Sequence, residues 1–274
     1  MECCCGAPCA RLEHLEVYIP SRVVSLARKM PHTMVPNQQH QSYRFSLLRC
    51  LLSDVTIDGK KIKIWSSEGH GRLGRVYALT HPRHVLKVSK TGLEASNYSL
   101  LASHNIPCAH VIESRDVRVD DTTYSVTVMT RLDFTLTALL RAAGIANRKP
   151  RGLSVALSDL LDLLRKSNIA YVDLSPDNIM FSRVRGNVFR VHLIDPQFVT
   201  SLSVFERLYK SREYDCMYLA CKLFVLGKLH ESSWKFAQSL CRHLLGYVPS
   251  QGSVVQFLQE QAPRATSIAQ SLNA

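Results

Sequence analysis

No stretch of this 274-residue chain approaches the roughly 18 uninterrupted apolar residues that a membrane-spanning helix needs, so none is expected. The start lacks a basic segment followed by an apolar core and a small-residue cleavage site, and the nine cysteines follow no regular spacing. These absences argue against a secreted disulfide framework and make the cytoplasm or nucleus the expected compartment. Basic residues never gather in a block of five or six, which leaves nucleic acid unindicated as a partner even though Lys and Arg exceed Asp and Glu by 34 − 22 = 12. That excess suits nucleotide phosphates, acidic protein substrates or a solvated basic face alike. Internal repeats and low-complexity tracts are also missing.

What is present is the material of a folded protein. Hydrophobic residues make up 46% of the chain and the mean hydropathy lies near zero, enough for one sizeable core or for two lobes sharing a cleft. Residues 1–55 read as an extension, with a short apolar stretch around Leu12 to Val24 and a polar run from Pro31 to Ser42. Cys3, Cys4, Cys5 and Cys9 crowd its start. Three contiguous cysteines do not wrap one tetrahedral zinc ion comfortably. Acylation as a membrane anchor is the alternative to a plain tail of reduced thiols, although Glu2 removes the N-myristoylation motif.

From Val55 the pattern changes. Asp58-Gly59 is a two-residue hairpin signal, and residues 61–65 alternate like a half-buried strand. Residues 75–80, 85–88, 111–116 and 124–129 are rich in β-branched or aromatic side chains and are separated by turn-formers. Residues 92–104 carry Leu93, Ser96, Leu100 and Leu101 at helical spacing. A small, mostly antiparallel sheet with one inserted helix is expected over 56–131. Beyond Arg131 the apolar period becomes helical, over 134–143, 153–167, 215–226 and 232–245, so 132–274 is expected to form a mainly helical lobe.

Three places carry legible chemistry. Gly69, Gly71, Gly74 and Val76 spell G-x-G-x-x-G-x-V in a turn between two expected strands. Glycines so placed let backbone N–H groups approach phosphate oxygens, and the strand-to-strand setting argues against the dinucleotide fingerprint, which opens a helix. Lys87 follows in an apolar strand, and Glu94 is the one candidate carboxylate on the next helix, 94 − 87 = 7 residues on. The third is Asp173-Leu174-Ser175-Pro176-Asp177-Asn178-Ile179, an acid and an amide five apart on a loop that Pro176 keeps from becoming helical. An apolar strand over 188–194 then ends in Asp195, 195 − 178 = 17 residues past Asn178.

With these motifs in this order the chain resembles the protein-kinase superfamily, and most of all the compact, divergent viral kinases such as the herpesvirus conserved group. The likeness runs over roughly 62–245. It implies an α+β, two-lobed kinase-like fold: a small antiparallel sheet with one helix, then a reduced helical lobe. It further implies that Gly69, Gly71, Gly74, Val76 and Lys87 bind ATP, with Glu94 positioning Lys87. Asp173 would orient the acceptor hydroxyl, while Asn178 and Asp195 would hold Mg2+ or Mn2+. Asp215 would open the helix that braces the Asp173 loop.

The departures are also specific. Tyr171 and Val172 stand where His and Arg usually precede the catalytic Asp, Ser175 replaces a lysine, and Pro196-Gln197 replace Phe-Gly. About 20 residues separate Asp195 from Asp215, with no A-P-E between them, which leaves little platform for a peptide. The glycine loop and the Asp173 to Asn178 pattern nevertheless make a Ser/Thr protein kinase acting on a protein substrate the expected function. The alternatives are a small-molecule kinase of the aminoglycoside or choline type and a pseudokinase scaffold.

Overall fold

The computed structural model describes residues 12–30, 56–57, 60–61, 64–70, 74–89, 93–119, 122–197, 199–203 and 214–260. Cys3, Cys4, Cys5 and Cys9, and Gly71 of the glycine motif, lie outside them. In chain order the first elements are β1 (Glu16–Tyr18), α1 (Ser21–Lys29), β2 (Thr56–Ile57), β3 (Lys60–Lys61), β4 (Ile64–His70), β5 (Gly74–Leu79), β6 (His84–Ser89), α2 (Leu93–Ser103), β7 (Val111–Val119) and β8 (Thr122–Thr130). Then follow β9 (Phe134–Thr135), α3 (Leu136–Ala146), α4 (Leu153–Lys166), β10 (Ile169–Tyr171), β11 (Ile179–Arg185), β12 (Val188–Leu193), β13 (Val199–Ser201), α5 (Tyr214–Leu229) and α6 (Glu231–Leu245). A last helix, α7, covers residues 251–260. The fold is α+β. No helix among the described residues is long and apolar enough to cross a membrane.

The chain divides into two compact units, a sheet unit built from described residues within 56–99 and 109–131, and a helical unit built from described residues within 12–30, 100–108 and 132–260. In the sheet unit β2 and β3 pair antiparallel, Thr56 with Lys61 and Ile57 with Lys60, and Asp58-Gly59 of the expected hairpin lies outside the described residues. The main sheet has five strands in the order β4-β5-β6-β8-β7, antiparallel at every pairing. The strand expected over 61–65 is divided: Lys61 belongs to the short hairpin and β4 starts at Ile64. Alternation decides which face each residue takes. Leu86 and Val88 of β6 pack with Tyr77, Leu79, Val126 and Val128 in one apolar cluster, so Lys87 faces the other way.

In the helical unit the sheet order is β1-β12-β11-β9. Residues 12–30, part of the stretch read as an extension, supply its edge. Val17 pairs with Phe189, and Leu15, Val17, Ile19, Val23, Val24 and Ala27 are buried in the core. The apolar run around Leu12 to Val24 is there because that core consumes it. The helix expected from Phe134 starts two residues later. Phe134 and Thr135 pair with Phe181 and Met180 as β9, and Thr135 Oγ1 then caps α3 by accepting from Ala138 N at 3.1 Å. Asn147 ends α3 in the left-handed conformation, φ 47°.

Helix α4 shows why propensity and burial agree here. Leu153, Leu157, Leu160, Leu161 and Leu164 fall at three and four spacing and are all buried, each contributing about 1.5–3 kcal/mol of apolar burial. Arg165 and Lys166 occupy its last turn, where the helix dipole favours cations. Helices α3 and α6 meet closely at Gly144, where a Cβ would lie 2.2 Å from the backbone oxygen of Ser232. No side chain fits that space without moving backbone. We expect Gly144→Ala to destabilise the protein by about 1–3 kcal/mol, read as a lower urea midpoint, whereas Gly252→Ala, whose Cβ would meet nothing nearer than Ser250 Oγ at 4.0 Å, is expected to cost nothing.

Candidate functional site

Chemistry-bearing residues gather at one place in each unit. In the sheet unit, register lines up Gly69, Val76, Lys87 and Thr127 across β4, β5, β6 and β8. Directly opposed residues share a face, so Val76, Lys87 and Thr127 stand in one row. Helix α2 covers that same face, with Tyr98 Oη donating to Met129 Sδ at 3.9 Å. Glu94, in the first turn of α2, accepts from Lys87 Nζ through Oε1 at 2.6 Å. Both side chains are buried, at 8% and 1% exposure. The spacing of seven residues is thus enough for the pair to form, because β6 ends at Ser89 and α2 begins at Leu93.

A buried pair of this kind is costly to break, since removing either partner strands a charge in low dielectric, at about 3–5 kcal/mol. It holds Lys87 in one conformation.

In the helical unit the site is the loop between β10 and β11. Val172 joins Ala170 and Tyr214 in a small apolar cluster, and Leu174 is wholly buried in the main core, so the loop is anchored on both sides of Asp173. Ser175 N donates to Asp173 O at 2.8 Å and Asn178 N to Ser175 O at 3.0 Å. Asn178 Nδ2 reaches back to Asp173 O at 2.9 Å and lies 3.4 Å from Asp173 Oδ2. Asn178 O accepts from Ile194 N at 2.9 Å, which fixes the residue immediately before Asp195. Asp195 itself has φ 60°, a left-handed conformation that costs a non-glycine residue about 1–2 kcal/mol. Gln197 N closes the turn onto Asp195 O at 2.8 Å.

Two tyrosines complete the arrangement, and neither was expected from sequence. Tyr218 Oη donates to Asp173 Oδ1 at 2.9 Å. Its ring stacks on Tyr214, and Lys222 Nζ sits 5.1 Å from its centroid. Burial, with the Asp173 carboxylate alongside, raises the Tyr218 phenol well above the usual tyrosine range, so it remains a donor. Tyr171 Oη donates to Ile194 O. Tyr218 lies three residues after Asp215, hence on the same face of α5, and that spacing was the available signal. Tyr171 could be noticed only as a departure from the family pattern.

Asp215 behaves as the sequence suggested, accepting a long hydrogen bond from Tyr171 N at 3.4 Å. The segment after Asp195 turns back as β13, paired with β10 through Tyr171 and Val199.

The donor set fits the groups implied by the resemblance. Asn178 Nδ2 is engaged, which leaves Oδ1 as the ligand atom, and Asp195 offers a carboxylate; both are hard oxygen donors suited to Mg2+ or Mn2+. Among the described residues no group of three or more His, Cys, Asp or Glu forms a metal cluster. One carboxylate with one amide oxygen matches a cation that takes its remaining ligands from phosphates and water.

No family model matches the sequence, and a comparison with curated proteins gives no match. Among solved structures the chain is similar to the kinase PK-1 of Cydia pomonella granulovirus, at 19% identity and a TM-score of 0.38, over 58% of this chain and 60% of that one. It therefore spans less than two thirds of that kinase. It is also similar to WaaP, solved in complex with acyl carrier protein, at 13% identity and a TM-score of 0.45, over 77% of this chain and 90% of that one. Overlaps this loose carry no argument, and the fold is read from the chain's own topology. That topology is protein-kinase-like. Its marks are the five-stranded antiparallel sheet, the helix inserted after β6 and the Asp173 loop feeding a hairpin.

Asp215 is titratable near neutrality. Burial raises its carboxyl from the ordinary 3.8 to about 7, against the opposing effects of the Tyr171 N–H and Arg165. The folded state thus binds more protons than the unfolded chain between those values. The Asp215 contribution to stability is fully present below about pH 4 and is lost as pH rises through about 7. Asp215→Asn keeps the acceptor and removes the charge. We expect its urea midpoint to rise relative to wild type from pH 5 to pH 8; a constant difference across that range would mean that ionising Asp215 costs the fold nothing.

Proposed function

We propose that the chain is an ATP-dependent phosphotransferase acting on a serine or threonine hydroxyl of a protein. The observation that carries this reading is the Asp173 loop, in which a half-buried carboxylate is locked by Asn178 and Tyr218 beside a pair of hard oxygen ligands. Such an arrangement suits phosphoryl transfer, where catalysis is mostly positioning and electrostatics.

In this reading Asp173 orients the acceptor O–H and takes its proton as the acceptor oxygen bonds to the γ-phosphorus. The bond from that phosphorus to the ADP oxygen breaks, and ADP leaves with the electron pair. Lys87, held by Glu94, contacts the α- and β-phosphates. Backbone around Gly69, Gly71, Gly74 and Val76 covers the nucleotide. Asn178 and Asp195 would hold Mg2+ or Mn2+, which when bound would supply positive charge to the phosphate oxygens. Tyr218 keeps Asp173 Oδ1 occupied, so Oδ2 is the oxygen that meets the acceptor. Ser175 brings no cation near the transferring group, which favours modest rates.

A small alcohol as acceptor is the second reading. The shortness of the segment from Asp195 to Asp215 favours it, with three of those residues bound back to β10 as β13.

Phosphate transfer from labelled ATP should be followed with Mg2+ or Mn2+, using the full chain and both protein and small alcohol acceptors. Asp173→Asn keeps the shape of the side chain and is expected to lower turnover about 10³-fold while nucleotide still raises Tm. Tyr218→Phe is expected to lower kcat about tenfold with little change in KM. Lys87→Met combined with Glu94→Gln strands no charge and is expected to abolish the nucleotide-induced rise in Tm. Turnover by Asp173→Asn equal to wild type would sink the reading. Nucleotide binding without any transfer would instead make the chain a scaffold.

A further inference from the structure

A recess of about 740 Å³ lies wholly within the helical unit, between the α3–α4 connection, the end of β1 and helix α6. Its apolar lining includes Leu140, Leu153, Phe236 and Leu240, with Val155, 51% exposed, also reaching it. Along one side runs Arg148-Lys149-Pro150-Arg151, whose three cations are exposed. No Asp or Glu lines the recess. Among the described residues these three cations make no ion pair, whereas Arg28, Arg165 and Arg190 of the same unit each have a carboxylate partner. Arg151 is held in place by backbone bonds with Tyr18 and lies over its ring, 5.8 Å from the centroid.

We propose that this recess is a docking groove for an acidic segment of a partner protein, one that carries an apolar anchor side chain among its carboxylates. The volume suits a few side chains rather than a folded domain. Like-signed cations held a few residues apart repel one another, and an occupant with carboxylates removes that cost while its anchor covers the apolar floor. The start of α4 adds to the same field, having neither an acid in its first turn nor a side-chain cap.

The longer undescribed stretches are poor in acid: residues 1–11 contain one, 31–55 one, 261–274 none, and 204–213 two against three basic residues. The occupant proposed is a segment of a partner protein. A recess with an apolar floor also differs from the open basic stripe that a nucleic acid follows.

The groove is independent of the phosphotransfer reading, and its test needs no turnover. Binding to the full chain should be measured by fluorescence anisotropy with a short labelled peptide rich in glutamate and carrying two leucines. The controls are the same peptide with its leucines replaced by serine and one with its glutamates replaced by lysine. Wild type is expected to bind the first peptide at least about tenfold more tightly than either control. Arg148→Glu with Arg151→Glu, and separately Val155→Asp at an exposed position, are each expected to weaken that binding by about tenfold or more. Far-ultraviolet circular dichroism and Tm establish that both variants are folded, and Asp173→Asn should bind the peptide as wild type does. Equal affinity for the acidic and serine-substituted peptides would overturn the proposal in favour of an indiscriminate basic surface. So would equal competition by a single-stranded oligonucleotide, or variants that bind unchanged.

Discussion

Asn178 is the residue on which the candidate site of the helical unit depends. Its side-chain amide closes onto Asp173 O, its backbone N–H onto Ser175 O, and its carbonyl accepts from Ile194. A loop that leaves the core to present a carboxylate must still satisfy its backbone groups. One asparagine does that for both ends of the site at once, because it stands where the Asp173 loop enters β11 while β12 returns beside it. An acid of the same size would place a second negative charge against Asp173, and a shorter residue would not reach. The five-residue spacing is therefore a length requirement before it is a chemical one.

Within each unit, polar groups are buried in a graded way. Lys87 and Glu94 are buried as a complementary pair, so each offsets the desolvation of the other. Tyr218 is a half-buried donor facing a carboxylate and remains protonated. Asp215 is half-buried, with only a long hydrogen bond to its Oδ2 and its enclosed Oδ1 without a partner, and the loss of water around its carboxyl works against the charged form. Strain is localised too: among non-glycine residues with left-handed φ, Asn105, Asn147 and Asn168 belong to the type that tolerates it, and Asp195 is the acid assigned to metal binding.

Periodicity made the elements legible. Burial follows the period of 3.6 closely in α4 and the period of two in β12, whereas every residue of β6 after His84 is buried, its two faces being covered alike. The reading slipped at one residue of mixed preference and at one stretch whose partner is distant in sequence. Phe134 continued the helical apolar pattern but is drawn into β9 by Phe181 and Phe189, whose rings lie 5.7 and 5.3 Å away. The stretch from Leu12 to Val24 had no sequence-local reason to belong to the helical unit; its place is decided by pairing with β12, more than 150 residues later.

Lys87, Glu94, Asp173, Asn178, Asp195 and Asp215 could be singled out from the sequence alone, because phosphate and metal chemistry demands particular residue types at spacings set by short local connections. Whether Glu94 reaches Lys87, that Tyr218 holds Asp173, that Tyr171 holds Ile194, and that Arg148 and Arg151 border an apolar recess were decided only by tertiary structure. Each of those contacts depends on how a strand, a helix or a connecting loop is rotated about its own axis when it packs, and packing joins residues whose separation along the chain carries no signal.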